Sequence, residues 1–162
     1  MIRLLFVLLV ALLVVLTGGF LLPSKVVVER SIVINRPAAT VFTILNGFQT
    51  WVAWSPWAEL DPAATLDVTG PEVGVGARLR WSGDPSLVGT GEQVIVSSDP
   101  YETVELRTDI GGENDVTIRY VIEGGGLGSR VTWQFESDVT ADQGLVGGLV
   151  GRYYGYFPVS YT

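Results

Sequence analysis

The chain of 162 residues contains no histidine and no cysteine. Those absences remove Ser-His-Asp and Cys-His nucleophilic catalysis, zinc sites built on imidazole or thiolate, disulfides and c-type haem attachment. Any chemistry is left to carboxylates, tyrosine, Lys25, arginine or bound water. Positive charge is scarce too, with 10 Lys plus Arg against 17 Asp plus Glu and a net charge of −7. Arg3 is the single charge before Lys25, so the rest of the chain is more acidic still. Such a body is a poor partner for nucleic acid phosphates and gains little from anionic headgroups. No nucleic acid, metal or cofactor is expected, and no catalytic residue is assigned. The chain beyond the first 22 residues is long enough for one domain with a real core.

The longest uninterrupted feature is apolar. Leu4 to Leu22 carries no charge, and Leu4 to Leu16 is unbroken Leu, Phe, Val and Ala. As a helix that run spans roughly 28 Å, close to the hydrocarbon core of a bilayer. It reads as a single membrane-spanning anchor, since Phe20, Leu21 and Leu22 extend it past Thr17 and Gly19. The alternative is a secretory signal peptide, with Arg3 as the basic region and those small residues before a cleavage site, leaving a secreted or periplasmic body. Lys25, Arg30 and Arg36 outnumber Arg3, which by the positive-inside count puts the body in the cytoplasm. A three-residue leader instead suits export of the body, so the side of the membrane stays open.

After the break at Pro23-Ser24, Lys25 to Asn35 alternates in β-branched residues and predicts a first strand. Pro37 stands where the first helical turn tolerates it, and Ala38, Ala39, Val41, Phe42, Ile44 and Leu45 follow at helical spacing, closed by Asn46-Gly47. A short helix or aromatic turn is expected over Trp51 to Trp57. From there the pattern changes. Runs over Thr65–Thr69, Ala77–Ser82, Gly89–Ser97, Thr103–Ile110, Val116–Glu123 and Arg130–Asp138 alternate, with Gly, Pro, Asp and Asn turn signals between them. That is an antiparallel meander with one apolar face needing a cover. The Gly-rich stretches at Gly74 to Gly76 and Gly124 to Gly128 lack dinucleotide-loop spacing, no phosphate-loop lysine is present, and Asp109, Glu113 and Asp115 lack calcium-loop spacing. Turns and a solvated hairpin tip account for them.

The aromatic box Trp51-Val52-Ala53-Trp54-Ser55-Pro56-Trp57 is the most specific motif. It follows the strand and the helix ending in Val41-Phe42-Thr43-Ile44-Leu45, and precedes Thr69-Gly70-Pro71-Glu72-Val73-Gly74-Val75-Gly76. Gly89-Thr90-Gly91-Glu92-Gln93 and Ser129-Arg130-Val131-Thr132-Trp133 come later. In that order the motifs resemble the SRPBCC superfamily, the START/Bet v 1-like group of polyketide cyclase/dehydrase and lipid transport proteins. The likeness is greatest to the bacterial subgroup with an amino-terminal membrane segment. The resemblance implies an α+β helix-grip (Bet v 1-like) fold, a seven-stranded antiparallel sheet around a long carboxy-terminal helix, here preceded by one transmembrane helix. The expected division is an anchor or signal segment over 1–22, a linker over 23–25, the START-like domain over 26–157 and an irregular tail over 158–162. Asp142 to Tyr154 offers only about three helical turns, and Pro158 stops the helix, so the carboxy-terminal helix reads as truncated.

Two functions are implied by the resemblance. One is binding of a hydrophobic small molecule or lipid in an internal cavity, with Trp54, Trp57, Trp81, Tyr120, Trp133 and Phe135 as candidate lining and Glu92 and Arg107 as candidate polar handles. Trp54 in particular is expected to be buried at the cavity mouth. The other is polyketide cyclase or dehydrase chemistry, for which Glu92, Asp109 and Tyr120 are the available acid or base groups. The binding reading is the default, because no spacing assembles a catalytic constellation.

Overall fold

The computed structural model describes residues 2–111, 114–126, 128–138, 147, 148, 150 and 152. The chain divides into two compact units, residues 1–26 with 137–162, and residues 27–136.

In the first unit helix α1 runs over Ile2–Leu21. Leucine and alanine favour the helix, and Pro23 stands just past its end. The Thr17 hydroxyl donates to the Leu13 carbonyl at 2.7 Å, so the one hydroxyl in the apolar run is paired within the helix. Phe6, Val7, Leu8, Leu9, Leu13 and Val14 are exposed along it. Among the described residues no helix is long and apolar enough to cross a membrane, so the expected helix is present but its crossing is not established. Arg152 donates to the Leu22 carbonyl at 2.7 Å. Gly147, Gly148, Val150 and Arg152 are helical. The rest of the expected helix over Asp142 to Tyr154, its suggested truncation and the tail over 158–162 lie outside the described residues.

The strands are β1 (Lys25–Ile34), β2 (Thr65–Thr69), β3 (Arg78–Ser82), β4 (Thr90–Asp99), β5 (Thr103–Ile110), β6 (Asn114–Gly125) and β7 (Gly128–Asp138), within a residue or two of where alternation predicts them. They form one sheet in the order β1-β7-β6-β5-β4-β3-β2. Strands β2 to β6 are a meander of antiparallel neighbours. The first strand crosses to the far side of β7, where the Ser31 and Thr132 hydroxyls bond at 3.0 Å and Gln134 donates to Glu29 at 3.0 Å. A bulge in β4 between Ile95 and Ser97 shifts the register there and bends the strand.

Among the described residues, the chain between the edge strands β1 and β2 covers one end of the sheet. Helix α2 (Ala38–Leu45) follows Pro37 and ends where the Asn46 N–H bonds the Phe42 carbonyl. Its buried Val41 and Phe42 pack with Phe48, Trp51, Ala77, Leu79, Ile95, Val104, Leu106, Ile122 and Val131 in one core. The aromatic box is split. Trp51–Ala53 is a single 3-10 turn, and Pro56 starts a separate helix α3 (Pro56–Leu60). The break at Ser55-Pro56 resets the helical phase, so the three tryptophans do not share an environment. Trp51 is 9% exposed, Trp54 38% and Trp57 59%. The expectation that Trp54 is buried is therefore corrected: Trp51 is the core tryptophan. Beyond α3, the buried Asp61 carboxylate accepts from the Ala63 and Asp84 N–H groups at 3.1 and 2.8 Å, joining the α3–β2 and β3–β4 connections.

Candidate ligand-binding face

Residues directly opposed in an antiparallel ladder point to the same face. The register pairs Leu79 with Gln93 and Trp81 with Gly91. It continues through Gln93 with Thr108 and Ile95 with Leu106, then Thr108 with Val116, Leu106 with Ile118 and Val104 with Tyr120. These residues form the inner face, the one that α2 covers at the end holding Val104, Leu106 and Ile122. Val131 belongs to the same core, so the period of two along β7 puts Trp133 and Phe135 on this face as well. Their rings lie 5.7 Å apart at 39°.

The same ladder pairs Asp67 with Arg80 and Arg80 with Glu92. It pairs Glu92 with Asp109, Val94 with Arg107, and Glu105 with Arg119. Every charged residue of β2 to β6 whose side chain is described falls on this outer face. Glu92 accepts hydrogen bonds from Arg78 and Arg80. The bond from Arg80 holds its carboxyl below the usual carboxylate range against the opposing effect of partial burial, and the Arg78 charge adds to it. Arg107 is exposed on the same side. The two candidate polar handles are thus on the face opposite the aromatics. Parity decides this: Glu92 and Arg107 are each one residue out of phase with inner-facing neighbours.

The remaining candidates separate into groups. Trp81, Tyr120, Trp133 and Phe135 are on the inner face, each half-buried or more. The Trp81 indole N–H donates to the Val88 carbonyl at 3.1 Å. Its six-membered ring lies against Gly91, where a Cβ would overlap it, so glycine there makes room for the indole. Burial pushes the Tyr120 phenol up to about 12. Trp54, just before α3, and Trp57, within it, are both exposed. A recess of about 310 Å³ is lined by Thr65, Asp67, Arg80, Trp81, Ser82, Thr90 and Gly91; the register puts its hydroxyl and charged side chains on the outer face.

The sequence of seven strands with two short helices between the first and second is matched by the family profile described as polyketide cyclase/dehydrase and lipid transport, over residues 25–155. The chain belongs to that family. No individual curated protein matches it in sequence. Solved structures share its fold. A norcoclaurine synthase point mutant from Thalictrum flavum, in complex with a transition-state analogue, is 15% identical, with a TM-score of 0.58 over 73% of this chain and 78% of that one. The same plant's enzyme with dopamine and hydroxybenzaldehyde is 15% identical, with a TM-score of 0.56 over 81% and 83%. The major latex-like protein of Panax ginseng is 15% identical, with a TM-score of 0.54 over 83% and 96%. The Bet v 1-like fold expected from the aromatic box and its flanking motifs is the fold of this family member.

Two inner-face residues were missed by sequence reasoning, Gln93 and Thr108. Thr108 is 2% exposed, and its hydroxyl has no hydrogen-bond partner among the described residues. Gln93 stands directly opposite. The signal was available in the alternation of Gly91, Gln93 and Ile95 along β4, but the neighbouring charge of Glu92 favoured the wrong parity.

Proposed function

We propose that this family member binds a hydrophobic small molecule or lipid over the inner face of its sheet, and that α1 holds it to a membrane as a single pass. The observation that carries the binding reading is the segregation of charge: β2 to β6 place all their charged residues outward and leave an apolar, aromatic inner face. Sites for such ligands are apolar concavities with few polar groups. Trp81, Tyr120, Trp133 and Phe135 are the lining we retain from the sequence candidates. Native mass spectrometry of the full chain, mildly extracted from cells, tests this. A co-purifying apolar molecule is the expected result, and repeated recovery of ligand-free protein with no uptake of added apolar compounds overturns it.

The uncharged run from Leu4 to Leu22 and the helix over Ile2–Leu21 support the tether. The proposed division is anchor 1–22, linker 23–25, binding domain 26–157 and tail 158–162. The protein then stays with membranes after carbonate washing. Leu9→Arg weakens that retention, since arginine at a helix centre costs about 2.5–3.5 kcal/mol on insertion scales. A soluble mature chain beginning near Phe20 overturns the tether in favour of signal cleavage. Enzymatic cyclisation or dehydration is the second reading, and the observation in its favour is Tyr120, the one titratable group on the inner face across β2 to β6. Burial keeps its phenol protonated, so it is suited to donating a hydrogen bond or proton. Turnover of a polyketide-like substrate that is lost in Tyr120→Phe is the result that favours it.

A further inference from the structure

One charge breaks the segregation of the sheet, and it stands on β1. The Ser31–Thr132 and Glu29–Gln134 side-chain bonds run β1 antiparallel to β7 and set Arg30 opposite Trp133. Thr132 alternates with the inward Val131 and Trp133, so Ser31 faces outward with it. Arg30 then shares the inward parity of Ile34, which packs against the core. Lys25 and Glu29 have the outward parity of Ser31, and on β7 Arg130, Glu136 and Asp138 are out of phase with Val131. The charges described on β2 to β6 also face outward. Among residues whose side chains are described, Arg30 is thus the one charge on the inner face of the sheet. Arg78 and Arg80 are held by Glu92, and Arg119 lies 3.6 Å from Glu105. Arg30 differs. Among the described residues its guanidinium donates to the Glu29 carbonyl at 2.9 Å and pairs with no carboxylate. Its side chain is exposed, as is Ile32 two residues along the same face at 63%, so this rim is accessible. A cation without an acid therefore borders the aromatic pair of Trp133 and Phe135, whose rings are 5.7 Å apart.

Resting on the binding reading above, we infer that the inner face takes an anionic amphiphile, a carboxylate or phosphate head on an apolar body, with Arg30 binding the head and Trp133 and Phe135 receiving the body. A guanidinium presents parallel N–H donors that match two oxygens of such a head at once. Its position at an exposed rim lets the head keep part of its hydration while the body leaves water over the rings, which is how amphiphilic groups divide between the two environments. A neutral alcohol on the same body makes the apolar contacts without the ion pair. A small anion without a body makes the ion pair alone, and an exposed pair of that kind contributes little. The net charge of −7 opposes an approaching anion. At physiological salt, however, the Debye length is about 8 Å, so distant acids are screened and the cation at contact decides.

The test titrates the full chain in zwitterionic nanodiscs with terminally brominated decanoate and decanol, at a pH where the acid is ionised. Bromine quenching of tryptophan fluorescence reports binding, and empty nanodiscs give the partition reference. Arg30→Gln is expected to weaken decanoate roughly three- to tenfold, the size of one net hydrogen bond, and to leave decanol unchanged. Arg30→Lys keeps the charge and is expected to recover part of the loss. Arg107→Gln, on the outer face, is expected to alter neither probe. Unchanged decanol binding also shows that the altered chain is folded. Decanoate affinity unaltered by Arg30→Gln overturns the inference while leaving hydrophobic binding intact. An equal loss of both probes in that variant overturns it too, because the residue then acts on the fold. Acetate competing as well as unlabelled decanoate overturns the amphiphile in favour of a free anion. Binding of neither probe, together with no uptake of an apolar dye, overturns the binding reading itself.

Discussion

Thr108→Val isolates a single unpaired hydroxyl. Thr108 is 2% exposed, on the inner side of β5, with Gln93 and Val116 as its cross-strand neighbours. Among the described residues its hydroxyl has no partner, so folding strips it of water and these residues return no hydrogen bond. Leaving a buried polar group unsatisfied costs about 1–3 kcal/mol. Valine has nearly the same shape and replaces the hydroxyl with a methyl that suits these neighbours, and it keeps the β-branching favoured in a strand. The substitution is therefore expected to stabilise the protein by about 1–2 kcal/mol, a gain read as a higher urea midpoint by roughly 0.5–1 M. The assay is urea unfolding of the full chain in a fixed detergent, monitored by tryptophan fluorescence. Thr108→Ser serves as the control: it keeps the hydroxyl, deletes the methyl and is expected to lower stability by about 1 kcal/mol. A Thr108→Val variant less stable than the parent refutes the reasoning, because it means the hydroxyl is paired, with a buried water as the obvious partner.

Tyr120 titrates at about 12 in the folded protein against an ordinary 10.0 because burial disfavours the phenolate. A raised value means that the folded state keeps its proton longer than the unfolded one. Stability is therefore unaffected by this group below about pH 10, and about 2–3 kcal/mol is lost as pH rises to about 12 and beyond. Tyr120→Phe removes that part of the alkaline loss, and an identical alkaline profile in urea unfolding contradicts the assignment. In the aromatic box, Trp51→Ala is expected to cost about 3–5 kcal/mol as a core deletion, while Trp57→Ala changes stability by no more than about 0.5 kcal/mol. Equal effects in thermal unfolding refute the split environment of the two residues. Glu92→Gln breaks a surface network with Arg78 and Arg80, so its cost is at most about 1 kcal/mol. It is expected to leave ligand affinity unchanged in a fluorescence titration, since Glu92 lies on the outer face; a large loss of affinity contradicts that placement.

The sequence by itself determined the elements. The period-two runs located all seven strands, Pro37 and Asn46 bounded α2, and the charge-free stretch after Arg3 marked α1. These are local properties: alternation, proline geometry and turn residues act within a few neighbours, so they are visible without a fold. The motif order around the aromatic box was enough to suggest the family. The candidate site was less legible. Trp81, Tyr120, Trp133 and Phe135 share the inner face as expected, but Glu92 and Arg107 do not. A strand's sequence shows that residues alternate without showing which alternate set faces inward, and that choice is set by register against the next strand. The bulge at Ile95 to Ser97 changes the parity midway along β4 and hides it further. Burial of Trp51 rather than Trp54 was likewise a tertiary decision, made by how the 3-10 turn meets the core formed by Phe42, Phe48 and Leu79. Gln93 and Thr108 are neighbours only because the pairing of β4 with β5 brings an amide and a hydroxyl face to face. Local sequence dictates what each residue can do, and the long-range pairing of strands decides what each one meets.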